Sequence, residues 1–259
     1  MRLATMGVFK NLTGDSSRMR AIDGKTVVCG SIAGKPSPLG AAIHNAGYEA
    51  LKLNFVYIPF QCFDVRAAVN AMRGLGIRGL GVATPFKPQV IPFLDEMDNT
   101  ARKIGAVNTI VNEGSRLKGY NTDYLGALDA LREETELRGK RVVLVGAGSA
   151  ARAIAYGLKG AGAVVHVYNR TPERAIKVAE DFLLEAAADL RDVSLMKDFD
   201  VLVNAATPPE GGSIIPDSIL SKGKVVMDVL AADTALCRQA RKRGCRVVTG
   251  YRMLLHQAK

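Results

Sequence analysis

From Arg141 to Ala151 the chain reads RVVLVGAGSAA, and this stretch decides the fold. Arg141 to Val145 is a compact apolar strand, the glycines follow at once, and Ala150 to Ala161 is rich enough in alanine for a helix. Gly146, Gly148 and Ala151 fill the G-x-G-x-x-G/A pattern of a dinucleotide-binding turn. The physical reason is backbone access. A side chain at Gly148 would collide with a pyrophosphate approaching the helix N-terminus, whose free N–H groups and positive dipole end favour an anion. The candidates for holding such a group are Gly146, Gly148, Ser149, Ala150 and Ala151. Taken alone the pattern also fits a turn that merely packs a strand on a helix.

The next strand, Val164 to Tyr168, carries the discriminating signal. Where NAD-binding chains place an acid for the ribose hydroxyl, this one has Asn169, Arg170 and Thr171, with Arg174 a turn later. An acid would repel a 2′-phosphate, whereas guanidinium groups bind it through paired, charge-assisted hydrogen bonds. NADP is therefore the expected cofactor; the competing reading is solvated arginines on a loop and a first helical turn. Downstream, a helix is expected over Ala175 to Ala187 and strands over Val201 to Asn204 and Lys224 to Val229. A helix over Thr234 to Arg243 and a short strand over Arg246 to Val248 follow. Strands alternating with helices at this spacing predict a doubly wound, parallel α/β unit.

Upstream lies a second α/β unit. Val27 to Gly30, Asn54 to Pro59 and Gly79 to Ala83 read as strands, with helices over Ala41 to Leu51 and Val65 to Leu75 between them. A helix over Asp98 to Ile104 and a hairpin of Val107 to Asn112 with Arg116 to Asn121 close this unit near Asp123. The boundary is expected between Tyr124 and Gly139.

Composition narrows the function classes. The 259 residues are 48% hydrophobic and 23% charged, which excludes disorder and collagen-like architecture. No apolar run reaches the length of a membrane span, and Met1 to Gly24 mixes Arg2, Lys10, Arg18, Arg20 and Asp23 without a signal-peptide core. A cytoplasmic protein with no membrane contact is expected. Cys29, Cys62, Cys237 and Cys245 form no CxxC pair, and His44, His166 and His256 have no second ligand at metal spacing, so no metal site is expected. The net charge of +10 suggests an anionic partner. Scattered basic residues, 6% aromatics and no Trp argue for a small anion and against nucleic acid. No diagnostic interface stands out, so monomer and homodimer are both open.

Three polar features of the first unit share no local explanation. Lys87 follows Pro85 and Phe86 just past a strand end, Asn108 sits in Gly105 to Thr109, and Asp123 ends Gly119 to Asp123. Singly they read as a surface lysine, a strand asparagine and a helix cap. Together, in this order and ahead of an NADP-type unit, they resemble the shikimate dehydrogenase family over nearly the whole chain, Val27 to Gln257. The resemblance implies a substrate-binding and catalytic domain at 1–123, a Rossmann NADP domain at 124–249 and a segment, 250–259, returning to the first. It implies reversible reduction of 3-dehydroshikimate to shikimate by NADPH. Lys87 and Asp123 would be the catalytic pair, and Asn108 and Gln257 would bind substrate. An ammonium beside the reacting ketone stabilises charge developing on oxygen and relays a proton.

The chain departs from the family pattern around the substrate. The usual Ser-x-Ser-Pro loop, whose hydroxyls hold the substrate carboxylate, reads Lys35-Pro36-Ser37-Pro38, leaving Lys35 and Ser37 for that task. The Asn-Val-Thr-x-Pro motif becomes Gly81-Val82-Ala83-Thr84-Pro85, and Ala231 replaces a tyrosine. These changes look like the shikimate dehydrogenase-like subgroup. The chain stops at Lys259, shortly after Gln257, where relatives usually continue into a helix, so a looser Gln257 is expected. Reaction type is thus more firmly indicated than the acid reduced. Quinate or another ring carboxylate is an alternative, and a non-catalytic NADP or ligand sensor is another.

Overall fold

Strand β1 (Val27–Ala33) pairs in parallel with β2 (Phe55–Gln61) on one side and β3 (Gly79–Val82) on the other. Cys29 lies opposite Tyr57 and Gly79, and Ser31 opposite Pro59 and Gly81. The crossovers are α1 (Pro38–Ala50) and α2 (Val65–Gly74). α1 starts three residues before its alanines suggest. Ser37 accepts a hydrogen bond from the Leu39 N–H (3.3 Å), and Pro38 occupies a first-turn position where its missing N–H costs nothing. α2 is capped by Asp64, which accepts from the Ala67 N–H (3.0 Å), and it buries Val69 and Met72 against Ile32, Leu80 and Val82. The sheet continues through β4 (Glu96–Met97), α3 (Asn99–Ile104), β5 (Thr109–Glu113) and β6 (Arg116–Tyr120), in the order β2-β1-β3-β5-β6-β4. These elements belong to a computed structural model that describes residues 22–195, 198–208 and 212–258. Arg2, Lys10, Arg18, Arg20 and Lys259 lie outside the described residues.

Helix α4 (Asp123–Arg132) leads to the second sheet. Its elements are β7 (Arg141–Val145), α5 (Ser149–Gly160), β8 (Val164–Asn169), α6 (Pro172–Phe182), β9 (Ala186–Asp189), β10 (Val201–Asn204), β11 (Val225–Asp228), α7 (Ala235–Lys242), β12 (Arg246–Thr249) and α8 (Gly250–Gln257). All strands are parallel in the order β12-β11-β10-β7-β8-β9. Val142 to Val145 are fully buried because both faces of this sheet are covered. The winding reverses between β7 and β10, and ligands of open α/β sheets bind at such a switch point.

Residues 175–187 do not form one helix. The helix read over Ala175 to Ala187 ends at Phe182, Leu183 turns the chain with φ 53°, and Ala186 to Asp189 become β9 alongside His166 to Asn169. The alanines favour helix locally, but the open edge of β8 offers a ladder of backbone hydrogen bonds that outweighs that preference.

Candidate active site

Lys87 sits in the turn after β3, where its carbonyl accepts from the Val107 N–H (2.9 Å). Asp123 is the first residue of α4. Its own N–H is held by the Asn121 side-chain oxygen (3.0 Å), and Asn121 donates to the Ala106 carbonyl (2.9 Å). The Asp123 carboxylate does not cap the helix. It meets Lys87 Nζ at 2.5 Å through Oδ2 and Asn108 Nδ2 at 2.9 Å through Oδ1. The pair is secluded, with Asp123 1% and the Lys87 side chain 12% exposed. The first turn of a helix suits a carboxylate electrostatically. Asn108 is fully engaged. Its oxygen accepts from the Thr122 N–H and the Thr109 hydroxyl (both 2.9 Å), and its amide also donates to Thr122 Oγ1 (3.0 Å). Each of the three thus has partners that a surface lysine, a strand asparagine and a helix cap would lack.

Gln257 joins this group through its backbone, which accepts from the Thr122 hydroxyl (3.0 Å). α8 lies across α4 at Gly126. A Cβ there would stand 2.6 Å from the Met253 oxygen and 2.7 Å from Gln257 Cβ. The outer end of the crossing is tied by Arg252, which donates to Glu133 and Glu134 (2.7 Å each), and by His256 at 2.7 Å from Glu133. Arg252, and after it His256, hold the Glu133 carboxyl below its ordinary range by hydrogen bonding. Gly126→Ala is therefore expected to push α8 outward, lowering stability by about 1–3 kcal/mol and weakening the hold on Thr122. Thermal melting and kcat/KM measured on the same preparation check this, since both should fall.

The glycine turn lies at the switch point. Gly146 has φ 114°, and a Cβ on it would stand 2.9 Å from the Ala205 carbonyl carbon and 3.0 Å from Ala206 N. Gly148 differs. It caps α5 without a side-chain hydrogen bond, and a Cβ there meets no protein atom within 4 Å. The protein's own packing does not require glycine at 148, whereas a phosphate lodged against the N–H groups of Ser149, Ala150 and Ala151 would. The residues fit a dinucleotide. Ala151 is buried in the core, Asn169 donates to the Thr171 carbonyl (3.0 Å), and Arg170 and Arg174 are exposed. Arg170 lines a cleft of about 490 Å³ together with Arg191, Leu190, Val193 and Ile214. A larger groove of about 850 Å³ lies among Tyr124, Leu128, Arg152, Tyr156 and Phe182, and neither the glycine turn nor Lys87 and Asp123 line it.

Two features escaped the sequence reading. The Ala205–Ala206 backbone forms one wall of the glycine turn, steadied by Asn204, whose side-chain oxygen accepts from the Ala206 N–H (3.2 Å). Arg191, two residues past the end of β9, lines the second cleft. Lys35 is exposed in the loop after β1, and Ser37 is exposed, its hydroxyl oxygen accepting at the α1 cap while its O–H stays available to donate. The structure thus joins Lys87, Asn108, Asp123 and the Gln257 backbone and leaves Lys35 and Ser37 outside that hydrogen-bonded group. Among the described residues no cluster of three or more metal-binding side chains occurs, and no helix is long and apolar enough to cross a membrane.

A family model for the shikimate dehydrogenase substrate binding domain matches residues 32–110, and one for shikimate/quinate 5-dehydrogenase matches 129–236. The shikimate dehydrogenase (NADP(+)) of Pyrococcus furiosus is 36% identical over 243 residues, covering 91% of this chain and 89% of its own. Among solved structures, shikimate dehydrogenase from Aquifex aeolicus superposes with a TM-score of 0.86 at 34% identity, covering 92% and 91% of the two chains. The Thermus thermophilus shikimate 5-dehydrogenase in complex with NADP(H) and shikimate gives 0.80 at 31%, covering 90% of each. Fold, glycine turn and matched relatives agree, and the chain belongs to the shikimate dehydrogenase family.

Proposed function

We propose that this chain is an NADP-dependent oxidoreductase interconverting shikimate and 3-dehydroshikimate. The observation that carries the reading is the secluded Lys87–Asp123 pair, bridged by Asn108. Bound NADPH would supply the hydride for the ring ketone. Lys87 Nζ stabilises the negative charge that gathers on the ketone oxygen and passes it a proton. Asp123 keeps the ammonium aimed and shares that proton, and Asn108 fixes the carboxylate. Asn108, exchanging one of its present hydrogen bonds for the substrate, and Gln257 orient the ring, while Lys35 and Ser37 take the substrate carboxylate, the lysine acting as a point charge. Gly146, Gly148, Ser149, Ala150 and Ala151 receive the pyrophosphate, and Asn169, Arg170, Thr171 and Arg174 the phosphorylated ribose. On this reading residues 1–123 bind substrate, 124–249 bind NADP, and 250–259 return to the substrate side. A cytoplasmic enzyme acting on a small anion, as monomer or homodimer, completes the proposal.

The test follows cofactor reduction by absorbance with shikimate, with quinate and without acid, each with NADP⁺ and NAD⁺. Shikimate-dependent reduction of NADP⁺ is the expected result, and silence with both acids overturns the reading. Arg170→Asp is expected to lower the NADP⁺-over-NAD⁺ ratio of kcat/KM by about 10- to 100-fold, since a charge-assisted pair becomes a repulsion. An unchanged ratio would remove Arg170 from the cofactor site.

A further inference from the structure

Gly81 lacks a side chain at the point where the first sheet runs toward Asn108. It lies opposite Ser31 on one side and Thr109 on the other, and the Thr109 hydroxyl donates to Asn108. A Cβ built on Gly81 would stand 2.8 Å from the Tyr57 hydroxyl; its next neighbours, Ser31 Cβ and the Gly30 carbonyl, are at 3.4 and 3.7 Å. One oxygen therefore fills the room that a side chain at position 81 would take.

The residue that carries it is held from several sides. The Asn45 side chain in α1 grips the Tyr57 backbone in both directions, donating to its carbonyl (3.0 Å) and accepting from its N–H (2.8 Å). The His44 ring stacks on the phenol with centroids 4.4 Å apart and planes 15° from parallel. Gly40 lets α1 approach, since a Cβ there would meet the Tyr57 ring at 3.5 Å. Ser31 Cβ borders the same space at Gly81. Tyr57 is 8% exposed, too confined for the ring to swing freely. Asn45 satisfies the Tyr57 backbone groups at the outer edge of β2, and with the His44 stack it fixes the phenol in one place, the support that a preorganised hydroxyl needs.

We propose that the Tyr57 hydroxyl is a specificity-determining group of this enzyme, recognising a ring hydroxyl of the substrate in place of the side chain that position 81 lacks. The proposal rests on the dehydrogenase reading above. Burial raises the phenol's pKa, so the group stays protonated and offers both a donor and an acceptor across the physiological range. A site that hydrogen-bonds a substrate hydroxyl discriminates against analogues lacking it, because the buried partner is then left unpaired.

The test is steady-state kinetics with shikimate, quinate and a ring acid lacking one hydroxyl, at saturating NADP⁺. Tyr57→Phe is expected to raise KM for the preferred acid on the order of 10- to 100-fold while kcat and KM for NADP⁺ stay within about threefold of wild type. Discrimination against the deoxy analogue should shrink by a similar factor. Gly81→Ser alone should also raise KM, because its Cβ displaces the phenol oxygen. The double variant Tyr57→Phe with Gly81→Ser should recover toward wild type, a new hydroxyl entering where the old one left. An unchanged KM in Tyr57→Phe, or a double variant as impaired as the product of the singles, assigns Tyr57 to packing and overturns the proposal alone. A wild-type chain that oxidises none of the acids overturns the dehydrogenase reading, and this proposal with it.

Discussion

Lys87→Ala is expected to lower kcat by about 10²- to 10⁴-fold, the usual contribution of a positioned acid–base group, while KM for shikimate moves by less than about tenfold. The split follows from what the ammonium does. On the proposed mechanism it meets charge that exists only as the ketone is reduced, so its loss would be felt in the transition state more than in the bound ground state. The substitution also has a structural cost, because it strands the carboxylate of Asp123, 1% exposed, with Asn108 Nδ2 at 2.9 Å as its remaining side-chain partner on that side. Removing one member of a buried pair typically costs about 3–5 kcal/mol, reduced here by the water that the shortened side chain admits. Lys87→Met retains most of the stem and separates the two effects: its melting temperature should exceed that of Lys87→Ala, with turnover equally poor. Asp123→Asn should also lose turnover, since a neutral amide holds the ammonium less firmly. Near-normal turnover in Lys87→Ala would remove the catalytic assignment.

The second sheet was legible because its signals are local. Val142 to Val145 are apolar without alternation, as a strand covered on both faces must be, and the glycines that end it have a backbone reason visible in one dimension. β9 was not legible. Ala186 to Ala188 carry helical propensity, and only the unpaired edge of β8, set by tertiary placement, makes them a strand. The site divides in the same way. Lys87, Asn108 and Asp123 have dull individual readings, and their order along the chain with the NADP-type unit behind them singled them out. Ala205 and Ala206 carry no chemistry in their side chains. Their place beside Gly146 follows from β10 lying next to β7, a strand order that no local pattern encodes. Tyr57 and Gly81 are a further case: the glycine was visible as a departure from the family motif, but the phenol that fills its space comes from two strands away.

The two glycines of the turn should respond to substitution in opposite ways. Gly146→Ala places a Cβ about 3 Å from three backbone atoms of Ala205 and Ala206, in a residue whose φ of 114° L-amino acids avoid. Backbone cannot swing aside as a side-chain tip can, so the strain and the clash together should destabilise the protein by about 2–5 kcal/mol with no ligand present. Gly148→Asp meets none of this, since its φ of −81° and ψ of −176° suit any residue and its Cβ points into open space. Aspartate is also a preferred N-cap, and α5 has no side-chain cap of its own, so stability should hold or rise by about 0.5–1 kcal/mol. Yet the same carboxylate would sit where the proposed cofactor site has the helix end receive a pyrophosphate, blocking it by volume and repelling it by charge. KM for NADP⁺ should rise about a hundredfold or more, equivalent to roughly 2.7 kcal/mol of lost binding. Thermal melts of the apo variants beside cofactor titrations decide the matter. A Gly148→Asp protein that melts like wild type and still saturates with NADP⁺ near the wild-type concentration would place the cofactor elsewhere.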